Sequence, residues 1–206
     1  SPEAVTPGGT IKVAFEANPD DLNPFTMSSL VSALVIEQVY DTLFIFDENL
    51  TSQPNLCTEF EAPDDTTFIF HLAPNAAFSD GSPLTSADVK FSLETYKDPE
   101  IGGRAWAARN DTVEEVDEHT VKVALTEPFA PLISYLSWQY NPIVSKAFYE
   151  ANDGDLKQKT MGSGPFILDD FVPDQVLSFK KNPNYWQEGL PYLDGMEWVI
   201  LPDDQA

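Results

Sequence analysis

The sequence has one cysteine, two histidines and no run of about eighteen apolar residues. Cys57 cannot form an internal disulfide, so the fold depends on its hydrophobic core, in which Cys57 is expected to pack as a small apolar side chain. His71 and His119 are far apart and have no cysteine beside them, which argues against a transition-metal site of ordinary ligand spacing. The missing apolar run excludes a membrane-spanning helix. We therefore expect no internal disulfide, no metal site and no cofactor.

Basic residues are also scarce: 11 lysines and arginines stand against 34 acidic residues, for a net charge of -23. This charge repels nucleic acid and anionic membrane surfaces, so no nucleic-acid role is expected. A salt-rich habitat, attraction of cationic solutes and simple solubility all remain open as reasons for the acidity. With 206 residues and 42% hydrophobic content, the chain can bury the core of one large or two small domains.

Two catalytic motifs fail by one residue each. Met161 stands where a G-x-S-x-G hydrolase turn around Ser163 needs glycine, and Ile167 stands where a dinucleotide fingerprint needs its third glycine. An enzyme is therefore not expected. Two alternatives stay open: a surface interaction module without solute binding, and a secreted hydrolase that uses paired carboxylates. The adjacent acidic pairs are Asp20-Asp21, Asp64-Asp65, Asp169-Asp170 and Asp203-Asp204.

The most strongly specified stretch is residues 78–96, FSDGSPLTSADVKFSLETY. Its first half has the glycine and short polar residues of a tight turn. Thr85 and Asp88 then have the spacing of a helix capping box. Apolar residues follow at helical spacing, at Val89, Leu93 and Tyr96. The pattern predicts a turn followed by an amphipathic helix that packs on a core.

Elsewhere, alternating apolar residues predict strands and helical spacing predicts short helices. The first strand, residues 10–16, should place Ile11, Val13 and Phe15 on a core face. Further strands are expected at 43–46, 66–72, 112–117, 120–125, 166–171, 175–181 and 196–201. Helices are expected at 128–137 and 145–151, and another from a capping serine, Ser28 or Ser29, to about residue 40. Glycines at 162 and 164 predict a close crossing of two backbone segments. The sequence thus favours a mixed α/β fold.

Aromatic side chains occur in several predicted loops, at Phe25, Trp106, Trp138 and Tyr140. Met27 and Gln139 stand beside them. Large flat side chains on loops expose apolar area unless they cover something, and a ligand cleft is one structure that uses them. The alternative for Trp106 and Trp138 is that they pack against their own helices. As a set, these residues favour a ligand-binding surface.

Ten short segments, in order along nearly the whole chain, carry a family resemblance. They are residues 8–13 (GGTIKV), 21–24 (DLNP), 40–43 (YDTL), 70–72 (FHL), 116–121 (VDEHTV), 127–131 (EPFAP), 162–166 (GSGPF), 181–186 (KNPNYW), 192–194 (YLD) and 200–203 (ILPD), together with 78–96. With these segments the chain resembles the extracellular solute-binding proteins of peptide and nickel ABC transporters, the group that binds dipeptides, oligopeptides and nickel.

The resemblance implies an α/β fold that corresponds to the first lobe of a periplasmic binding protein. Residues 1–9 are expected to form an N-terminal tether. Residues 10–44 and 161–206 would form a mixed-sheet subdomain, and residues 45–160 an inserted α+β subdomain. Members of the family are considerably longer, so the chain resembles a first-lobe fragment that carries one wall of the ligand cleft and lacks the second lobe.

By the same resemblance, the chain captures a solute for ABC-transporter import. The implied ligand-binding residues are Phe25, Thr26, Met27, Ser28, Trp106, Trp138, Gln139 and Tyr140. The implied partners are a peptide-like solute, with a sugar or a metal chelate as alternatives, and a membrane permease, the protein itself being a monomer. The start at Ser1 without methionine suggests a removed secretory or lipid-anchor segment, and hence a periplasmic or extracellular location.

Overall fold

A computed structural model describes residues 6–101 and 103–201, and within them it has ten strands and four α-helices. The strands are β1 (Thr10–Phe15), β2 (Phe44–Phe46), β3 (Ser52–Pro54), β4 (Cys57–Glu61), β5 (Thr67–Leu72), β6 (Asn110–Asp117), β7 (Thr120–Leu125), β8 (Phe166–Val172), β9 (Val176–Lys181) and β10 (Gly195–Ile200). The helices are α1 (Leu30–Val39), α2 (Ser86–Thr95), α3 (Leu132–Tyr135) and α4 (Lys146–Ala151), with 3-10 turns at Pro99–Ile101 and Ala107–Arg109. None of the described helices combines the length and hydrophobicity needed to cross a membrane.

The first sheet joins the two ends of the described chain. Its strand order is β1-β10-β9-β8; β1 pairs parallel with β10, and the other pairings are antiparallel. The sheet is therefore mixed, as predicted. Phe15 stacks on Trp198 with ring centroids 4.2 Å apart. Ile11, which was expected to share the buried face, is 46% exposed, because β1 has only one neighbouring strand among the described residues.

The second sheet is antiparallel, in the order β4-β5-β7-β6. Phe70 and Val121, both fully buried, lie opposite each other on β5 and β7. The predicted β6–β7 hairpin is confirmed. The sequence did not predict β4, because only Cys57 of its five residues is buried and no apolar alternation is visible. A third, two-stranded sheet consists of β2 and β3.

The turn and helix predicted at residues 78–96 are confirmed. Gly81 in the turn has a φ of 88°, and α2 begins after Thr85. The Asp88 carboxylate accepts hydrogen bonds from the backbone N–H and the hydroxyl of Thr85, both at 3.0 Å. The predicted apolar stripe is at most 2% exposed, and α2 packs on β6 and β7. The predicted helix at 128–137 is shorter, one turn only, since Pro131 occupies its N-cap.

Residues 162–164 cross the end of α1 at close range, as their glycines predicted. The Gly164 N–H donates to the Val39 carbonyl at 2.9 Å. A Cβ on Gly162 would overlap the same carbonyl oxygen, so only glycine fits there. This crossing fixes the start of β8 against α1.

The N-terminal segment is held by the chain before β10. The Gly9 N–H donates to the Asp194 carboxylate at 2.9 Å, and the Gly8 N–H donates to the Tyr192 carbonyl at 2.7 Å. Residues 1–5 of the expected tether lie outside the described residues. The strands of the first sheet fall within residues 10–44 and 161–206, and those of the second within 45–160; the subdomain boundaries themselves remain a prediction.

Candidate functional site

Three of the predicted ligand-binding residues converge on one open concavity of about 280 Å³, which we call the aromatic depression. Its lining consists of aromatic side chains with one guanidinium and one amide: Arg104, Trp106, Tyr135, Trp138, Tyr140 and Asn141. These residues come from the segment after the 3-10 turn at Pro99–Ile101 and from the chain around the end of α3. The loops predicted from their aromatic content therefore do meet.

The rings of the depression form a continuous series. Tyr135 lies between Trp106 and Trp138, with centroid distances of 6.1 Å and 6.5 Å, and Trp138 is 6.2 Å from Tyr140. Trp138 is 50% exposed and Tyr135 40% exposed. Two rings thus present uncovered faces, at a place where a flat or apolar ligand group could stack on them.

Trp106 is the buried end of this series. It is 5% exposed, and its indole N–H donates to the Asn141 side-chain oxygen at 3.1 Å. The Asn141 amide in turn donates to the Tyr135 carbonyl at 2.7 Å. The first bond joins the 104–106 segment to Asn141, and the second holds the Asn141 side chain against the backbone of its own segment, so the Trp106 ring is anchored without a ligand.

Arg104 is a residue of the depression that sequence reasoning did not select. Its guanidinium lies 5.0 Å from the centroid of the Tyr96 ring and donates to the Pro24 carbonyl at 2.9 Å. That hydrogen bond connects the aromatic depression to the loop at residues 20–28. A signal was available in the sequence, because Arg104 is one of only two arginines and stands two positions from Trp106.

The other predicted loop, residues 25–28, is arranged differently from the expectation of an open aromatic surface. The side chains of Phe25 and Met27 are 3% and 4% exposed. Phe25 packs edge-on against the rings of Tyr96 and Tyr149, with centroids 5.0 Å and 5.5 Å away. Both side chains belong to the core here, so this loop offers a solute its backbone and its exposed hydroxyls.

Those hydroxyls belong to Thr26 and Ser28, and both are held by acidic residues of the same loop. Thr26 donates to Asp21 at 2.5 Å and Ser28 donates to Asp20 at 3.0 Å. Asp20 also accepts from the hydroxyls of Ser29 and Ser32 at the start of α1, both at 2.6 Å. Partial desolvation raises the pKa of Asp20, but the serine hydrogen bonds outweigh it and hold the pKa well below its usual range.

Gln139 faces away from its neighbours in the depression. It lines a separate cavity of about 230 Å³, which we call the polar cavity, together with Glu37 and Asp41. Asp41 is 7% exposed and accepts hydrogen bonds from the Trp186 indole at 2.8 Å and from Asn55 at 3.3 Å. Burial raises the pKa of Asp41 to about 6, although these hydrogen bonds oppose the rise.

The adjacent acidic pairs do not support the hydrolase alternative. Asp20 and Asp21 bind hydroxyls of their own loop. Asp64 accepts from the backbone and hydroxyl of Thr66, both at 2.8 Å, and Asp169 lies 2.6 Å from the Lys180 ammonium. The pair at 203–204 lies outside the described residues. At least one carboxylate of each described pair is thus engaged locally, whereas a glycosidase needs two carboxylates facing each other across a substrate.

Comparisons with known proteins agree with this architecture. The family model described as bacterial extracellular solute-binding proteins, family 5 Middle, matches residues 51–206. The glutathione-binding protein GsiB of Escherichia coli (strain K12) is 28% identical over 199 residues, which cover 95% of this chain and 39% of GsiB.

Two solved structures show the same fold. AgaA from A. tumefaciens R10, in complex with agropinic acid, matches with a TM-score of 0.87 at 30% identity, over 94% of this chain and 40% of AgaA. The oligopeptide-binding protein AppA from Bacillus subtilis, in complex with a nonapeptide, matches with a TM-score of 0.88 at 21% identity, over 97% of this chain and 41% of AppA. The chain therefore spans about two fifths of the length of these proteins. The predicted α/β binding-protein fold is confirmed, and the chain belongs to the bacterial extracellular solute-binding proteins, family 5.

Proposed function

We propose that this chain captures a small solute for import by an ABC transporter, and that the aromatic depression is the surface on which the solute lies. The observation that carries the proposal is the pair of exposed rings, Tyr135 and Trp138, which continue the ring series that begins at the buried Trp106. A preorganised aromatic surface of this kind suits ligand binding, because little ordering is required when the ligand arrives. It needs no catalytic group.

Arg104 supports a solute that carries both an apolar or flat part and an anionic group. Of its five N–H donors, one has an acceptor within the described residues, the Pro24 carbonyl. The guanidinium therefore remains able to form a charge-assisted bond to a carboxylate beside the rings. Glutathione, agropinic acid and peptides are the ligands named for related proteins. A peptide-like solute is accordingly the first class to test, with sugars and metal chelates next.

The remaining parts of the proposal concern the whole protein. We propose that this chain forms one wall of the cleft, that the protein is a monomer acting in the periplasm or outside the cell, and that it delivers its solute to a membrane permease. The relatives support this setting, since they include a periplasmic murein tripeptide binding protein and an ABC transporter-associated periplasmic binding protein.

The test uses two aromatic substitutions of matched exposure in the full-length protein. Trp138 is 50% exposed in the depression, whereas Tyr192 is 48% exposed near β10 and outside it. Unfolding temperatures of the wild type, Trp138→Ala and Tyr192→Ala would be measured with glutathione, short peptides, agropinic acid, sugars and metal chelates. We expect at least one solute to raise the unfolding temperature, since a ligand that binds only the folded state stabilises it.

Trp138→Ala should then weaken the binding of that solute roughly tenfold, which is the effect of losing about 1.4 kcal/mol of stacking and apolar contact. Tyr192→Ala should leave binding unchanged. If no solute of the panel raises the unfolding temperature, capture of these classes is refuted and a surface interaction module becomes the better interpretation. If both variants bind equally well, the solute lies elsewhere on the protein.

A further inference from the structure

The tip of the β2–β3 hairpin carries a three-residue pattern to which solute capture assigns no role. Residues 49–51 read Asn-Leu-Thr, which is the acceptor pattern, or sequon, of N-linked glycosylation. The pattern occurs once more, as Asn-Asp-Thr at residues 110–112 in β6. So short a pattern also occurs by chance, and the surroundings of each asparagine therefore have to decide between the two.

Asn49 stands in a loop that leaves its side chain open to solvent. The loop is closed by Asp47, whose carboxylate accepts hydrogen bonds from the backbone N–H groups of Asn49 and Thr51 at 2.8 Å and 2.9 Å. Leu50, between them, has a φ of 59° and is 78% exposed. Asn49 and Thr51 are exposed as well. The backbone of the tip is thus held in one shape while its side chains stay uncovered.

The Asn49 side chain is also free of hydrogen bonds. Among the described residues, neither its amide nor the Thr51 hydroxyl has a partner, and both residues are bonded through their backbones only. Apart from Asn110, the other asparagines all form side-chain hydrogen bonds: Asn18, Asn23, Asn55, Asn75, Asn141, Asn152, Asn182 and Asn184. This freedom favours modification of Asn49, because an amide that reacts has to give up any hydrogen bond it makes.

Asn110 has the same pattern in opposite surroundings. It is 2% exposed, and both polar atoms of its amide are buried without a partner among the described residues. Its backbone lies in the second sheet, opposite Leu125 of β7. An enzyme acting on the folded protein cannot reach this amide. The structure therefore separates the two sequons, of which Asn49 is accessible and Asn110 is not.

We propose that Asn49 is an N-glycosylation site, which receives its sugar from a lipid-linked sugar phosphate. In the transfer, the Asn49 amide nitrogen forms a bond to the anomeric carbon of the sugar. The bond from that carbon to the phosphate oxygen breaks, the lipid phosphate leaves with the electron pair, and the amide loses one proton to a base of the transferase. The Thr51 hydroxyl is the group that completes the sequon. This site rests on the proposed location outside the cytoplasm and is independent of solute capture.

The experiment is mass spectrometry of the full-length protein purified from the cells that naturally produce it. Trypsin releases residues 13–90 and 110–122 as separate peptides, and each contains one of the two sequons. Thr51→Ala destroys the first sequon while keeping Asn49, and Thr51→Ser is its matched control, because it keeps a hydroxyl at the same position. Thr51 is exposed and its hydroxyl has no partner among the described residues, so both variants are expected to fold normally.

We expect peptide 13–90 of the wild type to carry an added sugar mass and peptide 110–122 to be unmodified. The added mass should be lost in Thr51→Ala and retained in Thr51→Ser. An unmodified peptide 13–90 in the wild type, a sugar that persists in Thr51→Ala, or a sugar on peptide 110–122 would overturn the proposal. Because residues 49–51 do not line the aromatic depression, Thr51→Ala should raise its unfolding temperature with a solute as the wild type does. Glycosylation and solute capture can therefore fail separately.

Discussion

Replacing Asp41 with asparagine tests how a buried carboxylate between the two larger sheets makes stability depend on pH. Asp41 follows α1, and its principal donor, Trp186, follows β9 of the first sheet. Its second donor, Asn55, precedes β4 of the second sheet. Asparagine preserves the size of the side chain and one acceptor oxygen but cannot ionise. The substitution therefore removes the titration while keeping most of the packing.

The expected magnitude follows from the pKa of Asp41. Burial raises this pKa from 3.8 to about 6, because the charged form loses its hydration. The native state consequently holds the proton more tightly than the unfolded chain, so protonation stabilises the fold. This stabilisation is complete below about pH 4 and is lost as the pH rises through about 6. The difference between the pKa values of Asp41 in the folded and unfolded states corresponds to about 3 kcal/mol of stability in total. About 2 kcal/mol of this stability is lost between about pH 4.5 and 7.5.

The assay is urea unfolding of the wild type and Asp41→Asn at both pH values. Other carboxylates titrate in both proteins, so their contribution cancels in the difference between them. We expect the free energy of unfolding of Asp41→Asn, relative to that of the wild type, to rise by about 2 kcal/mol from the lower to the higher pH. Asp65→Asn, in an exposed loop, is the control and should show no such gain. An equal effect of Asp41→Asn at both pH values would refute the account of a desolvated charge.

Three further predictions concern packing, capping and charge. Gly162→Ala should lower the free energy of unfolding by more than about 2 kcal/mol, because its methyl group would overlap the Val39 carbonyl. The control Gly189→Ala has open space around it but a φ of 80°, and it should cost about 1 kcal/mol. Urea unfolding of both variants checks this order. Asp20→Ala should lower the free energy of unfolding by about 1 kcal/mol at neutral pH, because the serine hydrogen bonds are lost. Since these bonds lower the pKa of Asp20, the loss should become smaller as the pH falls below about 4, and a loss independent of pH would contradict this. Raising the salt concentration from about 0.05 to about 1 M should raise the unfolding temperature, because it screens repulsion within a chain of net charge -23, and a lower unfolding temperature would contradict this.

The parts of the fold that were predictable are those whose signals are local in the sequence. The turn, cap and apolar stripe of α2 lie within nineteen consecutive residues, and the cap is formed by Thr85 and Asp88 at the start of the helix itself. The start of α4 at Ser145 was predicted for the same reason, and for α1 the sequence offered Ser28 and Ser29, of which Ser29 is the cap. Each capping serine accepts a hydrogen bond from an N–H three residues later. β4 gave no such signal, because its exposed residues follow no apolar alternation.

The candidate site was predictable only in its residue types. An aromatic side chain in a loop must be covered by something, but the sequence does not say by what. Phe25 is covered by Tyr96 and Tyr149, which are more than 70 residues away in sequence, while Trp138 remains half exposed. The Arg104–Pro24 bond spans 80 residues. Such pairings depend on how the elements pack, and no local pattern records them.

Tyr96 explains why the best-specified helix and the least regular loops belong to one structure. It is the residue that ends α2, and it is 1% exposed. Its ring lies 5.0 Å from Phe25, 5.0 Å from the Arg104 guanidinium and 6.2 Å from Trp106, and its hydroxyl donates to the Pro142 carbonyl at 2.8 Å. Burial raises the pKa of this hydroxyl against the opposing charge of Arg104, so it remains a donor at physiological pH. One side chain thus contacts the loops at 24–28 and 104–106 and the segment just after Trp138–Tyr140. Because α2 is held by its cap and packs on β6 and β7, Tyr96 joins the proposed cleft wall to the best-packed helix of the fold.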